Sequence, residues 1–149
     1  MLALILAGCG GSSAPRASWR TVELGSYRFQ VPAGWQATVA KDRYEARKDG
    51  SFVQAQAFPL VHAYRPALFG KVEPELALRM AAVAKQVGGT VGAHRTVSPA
   101  GIKSHAYDLK VAGRTDTYTF VLRDRHELQL ICSADATVCD RLLASFASA

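Results

Sequence analysis

The last third of the chain carries three runs of alternating residues, Ile102–Val111, Thr115–Arg123 and Glu127–Cys132, separated by the turn-forming pairs Ala112-Gly113 and Asp124-Arg125. Successive side chains of a strand point to opposite faces of a sheet. His105, Tyr107, Leu109 and Val111 therefore share one face of the first run, Tyr118, Phe120 and Leu122 one face of the second, and Leu128 and Leu130 one face of the third. Val121 and Ile131 point the other way and are apolar too. Strands that are apolar on both faces need cover on both, so the pattern predicts an antiparallel sheet with helices on each side.

Two stretches can supply that cover. One opens near Pro74, a residue favoured early in a helix, and stops at Gly88-Gly89; Leu76, Met80, Val83, Ala84 and Val87 form its apolar stripe. The other spans Ala134–Phe146, with Cys139, Leu142, Leu143 and Phe146 on one face at i, i+3, i+4 and i+7. Upstream, Tyr27–Val31 alternates strictly with Tyr27, Phe29 and Val31 inward, and ends at the turn Pro32-Ala33-Gly34-Trp35. Gln36–Ala40 and Arg43–Arg47 read as short strands, and Asp49-Gly50 as a hairpin turn into Phe52–Phe58. Pro59–Val72 reads as an irregular segment with Leu60, Val61, Tyr64, Leu68 and Phe69 as its apolar members. The predicted class is α+β, an antiparallel sheet of about six strands flanked by two helices.

This order of elements, with YRFQVPAGW (Tyr27–Trp35) early and LLASF (Leu142–Phe146) closing the last helix, resembles the PsbP/Mog1-like α/β/α sandwich over roughly residues 20–147. Many small exported bacterial lipoproteins are similar to it. Proteins of that fold include photosystem assembly proteins and a Ran-binding protein. The matching residues are structural and carry neither function across.

The chain has 149 residues and a net charge of +6. Apolar residues make up 49% and charged residues 20%, enough for a core and against global disorder. The basic residues are interleaved with acids, as in Asp42-Arg43-Tyr44-Glu45-Ala46-Arg47-Lys48-Asp49, with no basic run or RNA-binding motif. No nucleic-acid partner is expected; the charge suits a solvated face near an anionic surface.

Three cysteines, Cys9, Cys132 and Cys139, raise the question of which stands apart. Leu6-Ala7-Gly8-Cys9 resembles a bacterial lipobox. That resemblance implies cleavage before Cys9, a diacylglyceryl group on its thiol and anchoring in a lipid bilayer, which two acyl chains make durable. On this reading residues 1–8 are the remnant of a signal peptide, 9–18 the lipidated cysteine with a Gly/Ser-rich tether, and 19–149 one α+β domain. Eight residues without Lys or Arg are short for a signal, so the start is expected upstream. The alternative is an apolar stub on a cytosolic protein, with Cys9 an incidental thiol. Cys132 ends a strand and Cys139 lies on the packed face of the next helix, a reasonable geometry for a disulfide; two buried thiols are the other possibility. Zinc lacks a four-ligand spacing there. A disulfide and export support each other, because such bonds persist outside the reducing cytosol.

Catalysis needs converging acids, bases or nucleophiles. His62 lies in the apolar segment with Tyr64 and Arg65, His94 in a loop or short strand, His105 on an apolar strand face, and His126 at a predicted turn. There is no H-E-x-x-H, G-x-S-x-G or phosphate-loop motif. Neither a cofactor nor a metal site is expected. The expected role is a non-catalytic binding or assembly module docking an envelope protein or a small ligand, with His62, Tyr64, Arg65 and Phe69 as the candidate binding loop. The alternative is a small envelope enzyme, hydrolase-like, using His62 or His105 with a nearby carboxylate.

Overall fold

The computed structural model describes residues 18–149; Cys9 and the segments expected to be signal and tether up to residue 17 lie outside them. The chain runs β1 (Trp19–Leu24), β2 (Tyr27–Pro32), β3 (Gln36–Val39), β4 (Arg43–Lys48), β5 (Ser51–Tyr64), α1 (Phe69–Val87), β6 (Thr90–Val97), β7 (Ser104–Val111), β8 (Arg114–Ser133), α2 (Ala136–Ala144) and β9 (Ala147–Ser148). Six strands form one antiparallel sheet in the order β3-β4-β5-β8-β7-β6, and β1-β2-β9 form a second, smaller one. The predicted α+β sandwich is the observed one. It has one refinement: α2 shares its layer with the small sheet.

The central strands of the large sheet are buried on both faces. On one side Leu76, Met80 and Ala84 of α1 pack on Tyr107, Leu109, Tyr118, Phe120, Leu122 and Ile131. On the other, Tyr27, Phe29 and Val31 of β2 and Leu142 of α2 meet Tyr44, Val53, Val121, Leu128 and Leu130. This is the two-sided cover that the alternating runs require.

Thr115–Arg123 and Glu127–Cys132 are not two strands around a turn at Asp124-Arg125. They are one strand, β8, which pairs with β7 through Arg114–Phe120 and with β5 through Asp124–Ser133. Asp124 takes the left-handed conformation at φ 51°, which Asp tolerates better than most residues. Across it the inward parity reverses. Tyr118, Phe120 and Leu122 face α1, whereas Leu128, Leu130 and Cys132 face the small sheet. One extra residue flips every side chain to the other face, so an internal bulge leaves the same sequence pattern as a turn.

Further corrections concern ends and edges. α1 begins at Phe69, five residues before Pro74, which lies inside the helix; its missing N–H would have served Gly70, an exposed residue that water can satisfy. Val87, expected on the buried stripe, is 46% exposed. The helix stops where Gly88 turns left-handed at φ 68°. Gly89 follows because a Cβ there would meet the Lys110 carbonyl oxygen at 2.7 Å. α2 is shorter than expected, with Asp135 capping it by accepting from the Val138 N–H at 3.0 Å. Phe146 lies beyond that helix yet is buried against Tyr27. β1 and β9 are strands that the sequence pattern does not announce, and of the two alternatives at His94, loop or short strand, the strand β6 forms. Pro59–Tyr64, expected to be irregular, continues β5.

Cys132 and Cys139 are joined in a disulfide, Cα–Cα 5.7 Å, that fastens the end of β8 to α2.

Candidate functional site

β5 leaves its partner before it ends. Pro59 pairs with His126 and Tyr64 with Asp124, so Leu60–Ala63 stand opposite Arg125 alone. Arg125 holds the excursion by donating from Nη1 to the Val61 carbonyl at 3.1 Å. Between this arm, α1 and β8 opens a cleft of about 630 Å³, walled by Leu60, Tyr64, Leu68, Val72, Leu76 and Leu122. Its lip is apolar and open: Val61 is 82% exposed. A mostly apolar concavity with a few polar groups is the usual form of a ligand or partner site.

Those polar groups centre on Glu127, whose side chain is 4% exposed. Arg79 of α1 donates to it from Nη1, reaches Glu75 at 3.5 Å through Nη2, and lies over the Phe120 ring. A carboxylate so buried is tolerated because it is paired and hydrogen-bonded. Burial pushes the Tyr64 phenol above its ordinary pKa, so it stays protonated at neutral pH. Tyr64 also borders a second cleft of about 400 Å³ with Lys103 and Arg123 on its wall.

Of the four residues expected in a binding loop, His62 and Tyr64 line the main cleft. Arg65 is exposed, just ahead of the 3-10 turn Pro66–Leu68. Phe69 turns away, stacking on His105 with ring centroids 3.9 Å apart. The structure does not bring these four together into one loop site. Arg79 and Glu127 belong to the cleft and were not singled out by sequence, because a lone Arg on a helix and a lone Glu on a strand carry no signal until the two elements are packed.

A second cluster lies where α1 begins. His105 is 1% exposed; its Nε2 faces the Phe69 carbonyl oxygen at 2.9 Å and its Nδ1 lies 3.0 Å from His94 Nε2. His94 Nδ1 in turn lies 3.4 Å from Glu73 Oε1. Both imidazoles are wedged by aromatic rings, His105 by Phe69 and His94 by Tyr107 at 4.4 Å. The Tyr107 phenol, raised in pKa by burial and secondarily by the Glu73 charge, donates to the Glu73 backbone carbonyl at 3.4 Å. With both nitrogens engaged, His105 is a satisfied core histidine. Three elements supply this cluster. The available signal was the β6–β7 hairpin, in which His94 pairs with Tyr107 and is thus the diagonal neighbour of His105.

No known protein-family profile matches the chain, and no curated protein matches it. Among solved structures it is similar to a cyanobacterial PsbP protein, CyanoP from Synechocystis, at 15% identity and TM-score 0.64, with 97% of this chain and 99% of that chain covered. It is also similar to a Bacteroides thetaiotaomicron protein at 10% identity and TM-score 0.54, with 83% of this chain and 45% of the other covered. Likeness at such identity speaks for architecture alone: the chain has a PsbP-like fold.

Proposed function

We propose that the chain is a lipid-anchored, exported binding or assembly module that holds an envelope protein or a small ligand in the cleft between α1 and the β5 arm. The observation that carries the docking role is the apolar lip of that cleft, where Leu60 packs half-buried on the core and Val61 stands exposed, both out of register with β8. An 82% exposed valine at the mouth of a 630 Å³ concavity is ready-made contact surface. The anchor rests on the lipobox-like Leu6-Ala7-Gly8-Cys9. The Cys132–Cys139 disulfide supports an oxidising compartment. Position-specific crosslinking from residue 61 tests the docking role.

Anchoring has its own expected result. Wild-type protein made in bacteria partitions into a detergent phase, and Cys9→Ala protein moves to the aqueous phase. Equal partition of the two would overturn lipid attachment at Cys9.

A second reading, a small hydrolase-like enzyme, draws on one observation: part-exposed His94 stands beside the Glu73 carboxylate. His105 Nε2 is taken by the Phe69 carbonyl, and its Nδ1 faces His94 inside a buried site rather than a substrate. Both ring nitrogens of His94 are engaged too, so it serves as a base only by releasing His105 or Glu73.

A further inference from the structure

We propose that Glu73, His94 and His105 form a binding site for a divalent first-row transition-metal ion of the zinc class, separate from the cleft and independent of the docking role. One ligand atom from each of the three lies within 4.8 Å of the others. Two imidazoles and one carboxylate are a donor set that suits such ions and leaves further coordination positions open.

The second observation is the way His105 is held. Its Nε2 faces the Phe69 carbonyl oxygen, an acceptor, so Nε2 carries the proton and Nδ1 presents a lone pair toward His94. A ring N–H fixed by a backbone carbonyl is the outer support that ligating histidines characteristically have. Stacking against Phe69 and Tyr107 keeps both rings from turning, which lowers the cost of organising the site. The spacing agrees. Two nitrogens bound to one ion at ~2.1 Å, at angles between square and tetrahedral, stand about 3.0–3.4 Å apart; the observed separation is 3.0 Å.

The ion takes the place of the proton that His94 Nε2 directs at His105 Nδ1; in a neutral His94 that proton moves to its own Nδ1, in an imidazolium it leaves to solvent, and both rings bind as neutral imidazoles. No electron transfer is involved. Glu73, with its side chain 47% exposed at the start of α1, swings its carboxylate in as the third ligand and offsets the charge. The bound ion would tie α1 to β6, an edge strand whose sheet pairing is with β7 alone.

The test uses the chain in a Cys9→Ala background, which removes the Cys9 sulfur, lipidated or not, as a competing ligand. Zn²⁺ is titrated calorimetrically, and Co²⁺ reports the ligand field by its visible spectrum. One ion per chain is expected. His94→Ala and Glu73→Gln, both at part-exposed positions, should weaken Zn²⁺ binding by at least the ~10–100-fold that loss of even an outer partner costs. His62→Ala should bind as the parent does. Folding of each variant is checked by its unfolding midpoint without metal. Absence of one-to-one binding by the parent, or equal affinity in folded His94→Ala protein, would overturn the proposal.

Discussion

Phe29→Ala is expected to destabilise the protein by about 3–5 kcal/mol, the range for emptying a fully buried aromatic site. Phe29 is 0% exposed and sits in the middle of β2. Its ring meets Tyr44 of β4 edge-on, centroids 6.0 Å apart, an arrangement that adds to its area burial. The size of the effect follows from the architecture. Among the described residues no strand pairing joins the β1-β2-β9 sheet to the six-stranded one, so side-chain packing holds the two layers together, with Phe29 fully buried in it. Urea unfolding measures it: the midpoint should fall with the slope unchanged. Phe29→Leu, which keeps most of the volume, should cost much less. A loss below about 1 kcal/mol for the alanine variant would contradict the packing of the small sheet on the large one.

The second large effect is expected on opening the disulfide. Cys132 and Cys139 are separated by 7 positions, and closing so short a loop removes about 2.5 kcal/mol of unfolded-state entropy in the chain model. The bond joins the end of β8 to the helix that covers it, so its loss loosens α2 while β8 remains held by β5. Unfolding with and without reductant gives the difference, and intact mass should rise by two hydrogens on reduction. Unchanged stability and mass would contradict the bond.

What the sequence made legible was whatever periodicity encodes. The two-sided apolar runs of β7 and β8 predict a sheet covered on both faces, and Asp49-Gly50 and Ala112-Gly113 predict hairpins that form, with left-handed φ at all four residues. Signals failed where one local pattern serves two structures. The bulge at Asp124 looks like a turn because both interrupt alternation once. β6 is exposed along nearly its whole length, so its residues follow no inward–outward rule, and β9 is two residues long. Pro74 marks a helix start in most contexts, yet the helix extends before it because Phe69 is drawn onto His105 and Val72 onto the core. The cleft was half legible. Its apolar arm is contiguous in sequence, whereas the Arg79–Glu127 pair and the Glu73–His94–His105 cluster exist only once separate elements meet.

The most direct measurement of the docking role is photocrosslinking in the native host from single positions of the protein. Val61 at the cleft lip and Val39 on the far edge strand are both strongly exposed, at 82% and 70%, so accessibility alone cannot separate them. The account predicts a discrete adduct from a photoreactive residue at position 61 and none from position 39. The same adduct from both positions, or none from position 61, would contradict it.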